Sequence, residues 1–337
     1  MNRTEKKFLE HVRRQELAGK GDAVLVAVSG GPDSMALLHL FSAVSPVLHC
    51  RIGVAHCNFS LRGEESELDE TFVKEACSSL GLDCHVRRFD TRKVSVAWKR
   101  SIEETARILR YDFFDELRRK HGYTSIATGH HVGDNAETML FNLFRGTAVS
   151  GLRGIRARHG CIVRPLMPLG RKEITEYLVE KEVAWRIDRT NLEIDHDRNF
   201  IRNRVIPLIE ERFTHKLMPS LQRISEQAAE LEEFVERHVD RLVGQHSGLD
   251  LTEGKLHIVT MRELTMFERK EILKRVLRMR GLSVDSRVLQ RVTDLLERQS
   301  GRSVPVGGGF EVVRKEGYLR FRAVPPSADS NPDSPLP

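Results

Sequence analysis

Residues 29–34, Ser-Gly-Gly-Pro-Asp-Ser, decide the fold of this chain. They follow an apolar run at 23–28 and lead into a second apolar run at 35–41, which predicts a strand, a glycine turn and a helix. The two glycines let the backbone turn tightly and approach a ligand closely, and Pro32 suits the first helical turn. Because unpaired N–H groups at a helix N-terminus attract anions, the stretch predicts a phosphate site.

The loop lacks the Gly-Lys-Ser/Thr ending of a Walker A loop, so no lysine reaches the phosphates. Asp33 stands inside the turn instead, and a bare carboxylate there would repel phosphate. The Asp33 carboxylate is compatible with a phosphate site if Mg²⁺ lies between the carboxylate and the phosphate. It is also compatible if the carboxylate caps nearby N–H groups. An ordinary Gly-Pro turn before a helix is the alternative interpretation. The predicted ATP-contacting loop residues are Ser29, Gly30, Gly31, Pro32, Asp33 and Ser34.

Length and composition set broad limits on the protein. The chain has 337 residues, enough for two domains, and 54 basic against 48 acidic residues, so net charge says little about partners. No run of about 18 apolar residues is present, and the charged N-terminus does not resemble a secretory signal. The five cysteines include no Cys-x-x-Cys pair, which favours reduced thiols in a cytoplasmic protein over a zinc or iron–sulfur site.

Strand-like and helix-like segments alternate along the first part of the chain. Strands are predicted at 23–28, 51–56, 84–89 and 124–128, with helices near 64–80 and 101–121, a pattern typical of a parallel α/β sheet. Ligands on such sheets bind beyond the C-terminal strand ends, where Ser29, His56 and Gly129 fall.

The remainder of the chain predicts a linker and a smaller domain. An apolar stripe spans a helical region at 198–245, in which Pro219 predicts a new start. Helices at 265–280 and 286–298 and a β-meander at 303–321 follow. We expect a Rossmann-like α/β catalytic domain at 1–213, a linker helix at 214–246, a small α+β domain at 247–325, and a disordered tail at 326–337.

Two further motifs carry side chains that suit a nucleotide. His56, Asn58 and Arg62 follow the second predicted strand and can contact a base or ribose, although such loop residues are often structural or solvated. Arg107 and Arg110 lie three residues apart on one helix face and can hold a phosphate or carboxylate bidentately. A salt-bridged surface helix is the alternative for this pair, since acidic residues are close in sequence.

The stretch at 127–138 places Asp134 and Glu137 three residues apart at a helix start, after His130. Both carboxylates then project to one side, where they can bind Mg²⁺ or a substrate ammonium group. The alternative is that Asp134 caps the helix. The position beside the glycine loop favours a functional role.

A basic segment runs from Arg145 to Lys172. It contains seven arginines and lysines and no acidic residue. The glycines at 146, 151, 154 and 160 predict a loop. Such a segment beside an ATP site suits an RNA backbone, with a solvated surface loop as the alternative. A polar stretch at 191–204 offers a second face for substrate. The predicted RNA-binding residues are Arg145, Arg153, Arg156, Arg158, Arg202 and Asn203.

With these motifs in hand, the chain resembles the tRNA(Ile)-lysidine synthetase family of N-type ATP pyrophosphatases, also called PP-loop proteins. The matching strings lie at 29–34, 56–62, 106–111, 129–138, 145–152 and 199–203, and the resemblance spans about residues 22–215. Residues 247–325 are more weakly similar to the small substrate domain of that family. The chain resembles its short form, without a further C-terminal domain.

The resemblance implies a ligase that uses ATP and Mg²⁺. ATP would adenylate carbon 2 of the wobble cytidine in a tRNA(Ile) with a CAU anticodon, releasing pyrophosphate, and free L-lysine would then displace AMP. The oligomeric state is left open, with a homodimer as one arrangement. The resemblance implies metal ligation by Asp33 and Asp134, a nucleotide contact at His56, and catalytic roles for Asp33, Asp134, Glu137, His130 and Arg107.

Three other functions fit parts of the pattern. A tRNA-thiolating enzyme shares the ATP chemistry but usually carries sulfur on paired reactive cysteines. An RNA-binding protein with a degenerate nucleotide site would not need the intact loop at 29–34. An amidating ligase would need a source of ammonia and would leave the basic segment unexplained.

Overall fold

The apolar run after residue 22 forms an inner strand of a six-stranded sheet in this computed structural model, which describes residues 1–147, 149–186, 196–214 and 216–324. The sheet order is β3-β2-β1-β4-β6-β5, and every pair is parallel except the pair of β5 and β6. The predicted parallel α/β sheet is therefore confirmed. The strands are β1 (Ala23–Ala27), β2 (Arg51–Asn58), β3 (Cys84–Arg88), β4 (Ser125–Ala127), β5 (Arg158–His159) and β6 (Ile162–Val163).

Helices connect these strands and continue beyond the sheet. A π-helical turn, Ile201–Val205, lies between α9 and α10. The helices are α1 (Arg3–Arg14), α2 (Pro32–Leu48), α3 (Glu64–Ser79), α4 (Thr91–Trp98), α5 (Ile102–His121), α6 (Val132–Phe144), α7 (Val149–Leu152), α8 (Arg171–Glu180), α9 (His196–Phe200), α10 (Ile206–Arg212) and α11 (Leu217–Gln245).

Both faces of the sheet are covered, which explains why β1 is apolar at every position. Val24 and Val26 point to one face and join the core that α1, α2 and α8 complete. Leu25 points to the other face and packs with Phe113 and Ile126 beneath α5. Successive strand residues face opposite sides, so a strand buried on both faces is a continuous apolar run.

A separate antiparallel sheet lies in the second part of the chain, with order β7-β8-β11-β10-β9 and helices packed against it. Thr265 and Glu268 form the predicted capping box at the start of α13. The elements are β7 (Leu249–Asp250), β8 (Lys255–His257), α12 (Ile258–Glu263), α13 (Met266–Met279), α14 (Ser286–Asp294), β9 (Ser303–Gly307), β10 (Phe310–Lys315) and β11 (Tyr318–Ala323).

The chain divides into two compact units, Met1–Ala229 and Glu230–Pro337. This boundary falls inside α11, between the predicted borders at 213 and 246, and the four-part division stays a prediction. The tail predicted at 326–337 lies outside the described residues. No helix in the described part of the chain is long and apolar enough to cross a membrane.

Candidate active site

The glycine loop is fixed by its own serines. Gly31 caps α2, which begins at Pro32 as predicted, and Gly30 has a φ of +94° that favours glycine. The Ser29 N–H donates to Ser34 Oγ at 3.1 Å, and Ser34 Oγ donates to the Gly31 carbonyl at 2.9 Å. The turn therefore holds its shape before any ligand arrives.

The stretch after β4 approaches this loop closely. A Cβ built on Gly129 would lie 3.3 Å from the backbone carbonyl carbon of Asp33, tighter than ordinary side-chain contacts, so glycine allows the approach. The glycine loop and the stretch at 129–138 meet at the carboxyl edge of the sheet, as the sequence predicts.

A cavity of about 760 Å³ opens beside the loop. Its volume lies within the range of pockets that hold a nucleotide-sized ligand. Its walls combine the glycine loop, the end of β2, and arginines from several elements. The lining residues used below are Ser29, Gly31, Pro32, His56, Asn58, Phe59, Arg62, Asp69, Arg107, Arg110 and Arg186.

His56 presents an acceptor to this cavity. Its Nδ1 lies 2.9 Å from the Val28 carbonyl, which can only accept, so Nδ1 carries the hydrogen. Burial lowers the pKa of His56, so the ring is neutral and Nε2 is an acceptor. Nε2 is buried without a partner among the described residues, which suits a ligand hydroxyl or amino group.

Arg107 and Arg110 share the cavity wall on α5, as their spacing predicts. Each guanidinium lies over an aromatic ring, Arg107 over Tyr111 at 5.1 Å and Arg110 over Phe59 at 5.3 Å. Such stacking orients a guanidinium while leaving its charge in place. Both arginines therefore contribute positive charge to the cavity wall.

Asp33 and Asp134 approach each other around His131. His131 Nε2 lies 3.9 Å from Asp33 Oδ1 and 3.6 Å from Asp134 Oδ2. Burial and the neighbouring Asp134 carboxylate raise the pKa of Asp33, while His131, Arg171 and Arg202 oppose the rise. Asp33 Oδ1 is buried and has no hydrogen-bond partner in the described part of the chain.

This pair fits a divalent cation. Mg²⁺ is commonly held by one or two carboxylates together with substrate phosphates, and Asp33 offers a buried oxygen that no described group satisfies. Across the described ranges, no group of three or more His, Cys, Asp and Glu side chains is arranged to hold a metal by itself. The residues therefore fit a cation that arrives with phosphate, not a preformed metal cage.

Asp134 takes part in capping α6, the alternative considered from the sequence, as the third helical residue of a capping box. His131 is the N-cap, and its ring Nδ1 accepts from the Gly133 N–H at 2.9 Å. Asp134 is the third helical residue, and its Oδ2 accepts from the His131 N–H at 2.9 Å. Capping uses one oxygen of Asp134 and leaves Oδ1 on the site side.

Arg202 lies against the two carboxylates of α6. Its Nε and Nη2 donate to the two oxygens of Glu137 at 2.5 and 2.9 Å, and Nη2 also reaches Asp134 Oδ1 at 3.2 Å. The bond to Glu137 is the main cause that raises the pKa of Arg202. Arg202 was predicted to bind RNA; the structure places it in the carboxylate cluster, and the RNA role stays a prediction.

A second cavity of about 330 Å³ opens onto this cluster. It shares Arg107 with the larger cavity and is lined by His130, whose Nδ1 lies 3.0 Å from Thr128 Oγ1. Burial lowers the pKa of His130 to about 4, so its ring is neutral near pH 7. The predicted catalytic residues Arg107, His130, Asp134 and Glu137 therefore surround one space.

The basic segment is more structured than the predicted loop. It contains α7, β5 and β6, and Val163, Leu166 and Leu169 are fully buried because they pack into the sheet core. Two side chains of α6 hold it: Asn135 Oδ1 accepts from the Ile155 N–H at 2.6 Å, and Asn142 Nδ2 donates to the Gly151 carbonyl at 3.0 Å. The glycine and arginine pattern gave no signal of these anchors.

The predicted RNA-binding residues of this segment differ in exposure. Arg145 is exposed, 4.2 Å over the Phe141 ring, and Arg158 is exposed and donates to the Glu16 carbonyl. Arg153 and Arg156 are half-buried, and each backbone carbonyl accepts a side-chain hydrogen bond. Asn203 is exposed in the π-helical turn. Asn191 and Asp195 of the predicted polar face lie outside the described residues.

Sequence reasoning missed three residues at the site. His131 stands in the quoted motif but was passed over for its neighbour His130. Asp69 and Arg186 line the larger cavity and contact each other, yet they are 117 residues apart and belong to no pattern that the sequence displayed.

Comparisons with known proteins agree with this geometry. The family described as PP-loop domain matches residues 1–209. The chain is 69% identical over 322 residues to the tRNA(Ile)-lysidine synthase of Chlorobaculum tepidum, covering 96% of this chain and 97% of that protein. It is 34% identical over 327 residues to the tRNA(Ile)-lysidine synthase of Clostridium perfringens, covering 95% of this chain and 69% of that one.

Among solved structures, the chain is similar to the U34-tRNA thiolase NcsA from Methanococcus maripaludis with its [4Fe-4S] cluster. The TM-score is 0.52 at 14% identity, covering 66% of this chain and 79% of that chain. At this identity the likeness concerns the fold alone.

Proposed function

The chain belongs to the tRNA(Ile)-lysidine synthase family of PP-loop proteins, and from this premise we propose that it ligates L-lysine to carbon 2 of the wobble cytidine in CAU-anticodon tRNA(Ile). ATP first adenylates the base and releases pyrophosphate; lysine then displaces AMP. The observation that carries the proposal is the meeting of the glycine loop with Asp33, Asp134 and Glu137 at one sheet edge. The 69% identity over most of the chain supports it.

The glycine loop and the larger cavity would bind ATP. N–H groups at the start of α2 face the departing pyrophosphate, whose negative charge grows as the bond to the α-phosphorus breaks. Ser29 can present its hydroxyl to a phosphate oxygen, whereas the Ser34 hydroxyl donates to the Gly31 carbonyl and holds the loop. His56 Nε2 accepts from the nucleoside, since its other nitrogen is committed to Val28.

Asp33 and Asp134 would hold Mg²⁺. When bound, this cation neutralises phosphate charge during the displacement. His131 Nε2 lies near both carboxylates, 3.9 Å from Asp33 and 3.6 Å from Asp134. Binding a cation needs the ionised form of Asp33, although burial favours the neutral form.

The smaller cavity would receive lysine and the cytidine. Asp134 and Glu137 are the two carboxylates in a lining that also holds four arginines, and they are the groups that would bind the lysine ammonium, while Arg202 keeps them in place. The amine must lose a proton before it attacks, and a carboxylate of this pair, or a water held by it, accepts that proton. Neutral His130 adds a hydrogen-bonding group without adding charge.

The basic segment and the small C-terminal domain would bind the tRNA. Single-stranded anticodon bases can be splayed into a pocket while the phosphates meet arginines. Exposed Arg145 and Arg158 are the members of the segment best placed for phosphates. A homodimer and a cytoplasmic location remain predictions, the first of which a light-scattering mass would test.

Thiolation of tRNA is the less supported alternative. Burial raises the pKa of Cys57, the cysteine that lines the larger cavity, to about 12, so this thiol is a poor nucleophile near pH 7. The relatives that cover most of this chain are lysidine synthases, and the likeness to the thiolase concerns the fold.

One assay tests the proposal. The full chain is mixed with ATP, Mg²⁺, labelled lysine and a tRNA(Ile) transcript with a CAU anticodon, and label is followed into the tRNA together with AMP. We expect stoichiometric label and AMP, and neither with a transcript whose wobble base is uridine. AMP release without label in the tRNA, or incorporation of sulfur, would overturn the assignment.

A further inference from the structure

An arginine pair that no family comparison assigns lies against the glycine loop. Asp69, on α3, is only 8% exposed and holds both arginines: Oδ2 accepts from Arg62 Nη2 at 2.7 Å, and Oδ1 contacts Arg186 Nε. The Arg186 backbone N–H donates to the Gly30 carbonyl at 2.9 Å. Arg186 therefore links Asp69 to the glycine loop, because its side chain contacts Asp69 and its backbone contacts Gly30.

The charge at this point favours an anion in the cavity. All three side chains line the cavity of about 760 Å³ beside Ser29 and Gly31. Five arginines and two acidic residues line this cavity, so its lining side chains carry a net positive charge. Such a lining favours a bound anion.

The geometry also suits a fixed ligand. A guanidinium has five N–H donors, and the contact of Arg186 with Asp69 is made through Nε. The terminal nitrogens form the fork that binds phosphate oxygens bidentately. Because Asp69 orients both arginines in advance, little reorganisation is needed when charge develops on a ligand.

We propose that Arg186 and Arg62, oriented by Asp69, bind the departing pyrophosphate of ATP. This inference rests on the proposed adenylation step. In that step the cytidine O2 forms a bond to the α-phosphorus and the bond from that phosphorus to the α–β bridging oxygen breaks. Its electron pair leaves with the pyrophosphate, and no proton is transferred. The two arginines contact this leaving group, and Asp69 is a positioning residue.

The test measures binding of pyrophosphate and of AMP, each with Mg²⁺, to the full chain by calorimetry. Arg186→Ala should weaken pyrophosphate binding about 10–100-fold, the usual effect of losing a charge-assisted pair of hydrogen bonds. AMP binding should stay within about twofold of the wild type. Arg186→Lys should fall between, since it keeps the charge and loses the fork.

Two further variants separate the role of Asp69 from a structural one. Asp69→Asn should lower kcat for AMP formation while KM for ATP changes little, and added guanidinium ion should restore part of the activity of Arg186→Ala. Arg87→Ala is the matched control, because Arg87 pairs with Glu116 on the exposed side of β3 and does not line the cavity. It should bind pyrophosphate as the wild type does.

Unchanged pyrophosphate affinity in Arg186→Ala would overturn the proposal. Equal losses of AMP and pyrophosphate binding in Arg186→Lys and Asp69→Asn would also overturn it. That outcome would mean that Arg62, Asp69 and Arg186 only maintain the structure. The proposed function fails separately: a wild-type protein that binds pyrophosphate through Arg186 yet forms no lysidine would contradict only the ligation.

Discussion

At the scale of single residues, Asp33 is the side chain whose chemistry is least compatible with its surroundings. Its side chain is half-buried, its Oδ1 is buried without a partner among the described residues, and its pKa is raised by burial and Asp134. A buried, unsatisfied oxygen costs stability, so folding does not explain the residue. The cation that we propose to bind with ATP would explain it.

The sequence led to Asp33 because a carboxylate inside a phosphate loop conflicts with simple electrostatics. It did not lead to Arg202 as a partner of Glu137. The two are 65 residues apart, and only the path of the chain through α9 and the π-helical turn brings them together. A local pattern reveals groups on one element, whereas a contact between distant elements depends on packing that the pattern does not contain.

We predict that Asp33→Asn lowers AMP formation by about 10²–10³-fold, the usual effect of removing one electrostatic stabiliser of a displacement. The amide keeps the shape but not the charge, so the thermal midpoint should be unchanged or slightly raised. Turnover is measured with saturating lysine and tRNA. Asp83→Asn, in the exposed turn before β3, is the matched control. Near-normal turnover in Asp33→Asn would remove the metal role.

Arg202→Ala distinguishes the two roles considered for that side chain. If Arg202 positions Asp134 and Glu137, lysidine formation should fall at least tenfold while the salt dependence of tRNA binding is unchanged. If it contacts a phosphate, the slope of log K against log salt should fall by about 1. We expect the first result, because both carboxylates already engage the guanidinium.

The comparison variant for that experiment is Arg145→Ala, whose side chain is exposed in the basic segment. Its slope should fall by about 1. Equal slopes for the wild type, Arg145→Ala and Arg202→Ala would argue against tRNA binding by the segment.

At the scale of elements, strands and helices are predicted best where buried apolar residues recur at a regular spacing. The four predicted parallel strands and the helix after the glycine loop are confirmed, because apolar runs bounded by glycines leave few alternatives. The two-residue strands β5 and β6 were missed, since their length gives no period. Helix α1 was also missed: five of its twelve residues are lysine or arginine, which hides the buried Phe8, Leu9 and Val12.

The junction of the basic segment with α6 makes a stability prediction. Gly154 has a φ of +69°, and a Cβ there would lie 2.0 Å from Asn135 Oδ1, the acceptor that anchors the Ile155 N–H. Gly154→Ala should therefore cost about 2–4 kcal/mol, the sum of left-handed strain and a lost buried hydrogen bond. Chemical denaturation measures it.

Gly160→Ala supplies the matched control for that measurement. Gly160 also has a positive φ, +57°, but nothing lies within 4 Å of a Cβ built there. Only the backbone strain applies, about 1 kcal/mol. Equal losses in the two variants would show that Asn135 does not anchor the segment.

At the scale of the whole molecule, the two compact units have separate apolar cores. The clusters on both faces of the parallel sheet draw on residues no later than Trp185, and the core of the second unit begins at Val235. Every residue that lines the two site cavities also falls before Ala229. The proposed sites for ATP, lysine and the cytidine therefore all lie in the first unit, and the role proposed for the second unit is to bind the rest of the tRNA.

This separation predicts the behaviour of a fragment. Residues 1–229 should fold and bind ATP with an affinity within about threefold of the full chain, because the fragment keeps the sheet, its two cores and the glycine loop. Binding of tRNA(Ile) should weaken at least tenfold, because the fragment lacks the domain proposed to grip the tRNA. Calorimetry with an ATP analogue and filter binding at fixed salt measure the two affinities. Asp33→Asn should remove metal-dependent ATP binding both in the fragment and in the full chain. Loss of ATP binding in a fragment that remains folded would mean that the second unit completes the nucleotide site, and equal tRNA affinity in fragment and full chain would deny that unit a part in recognition.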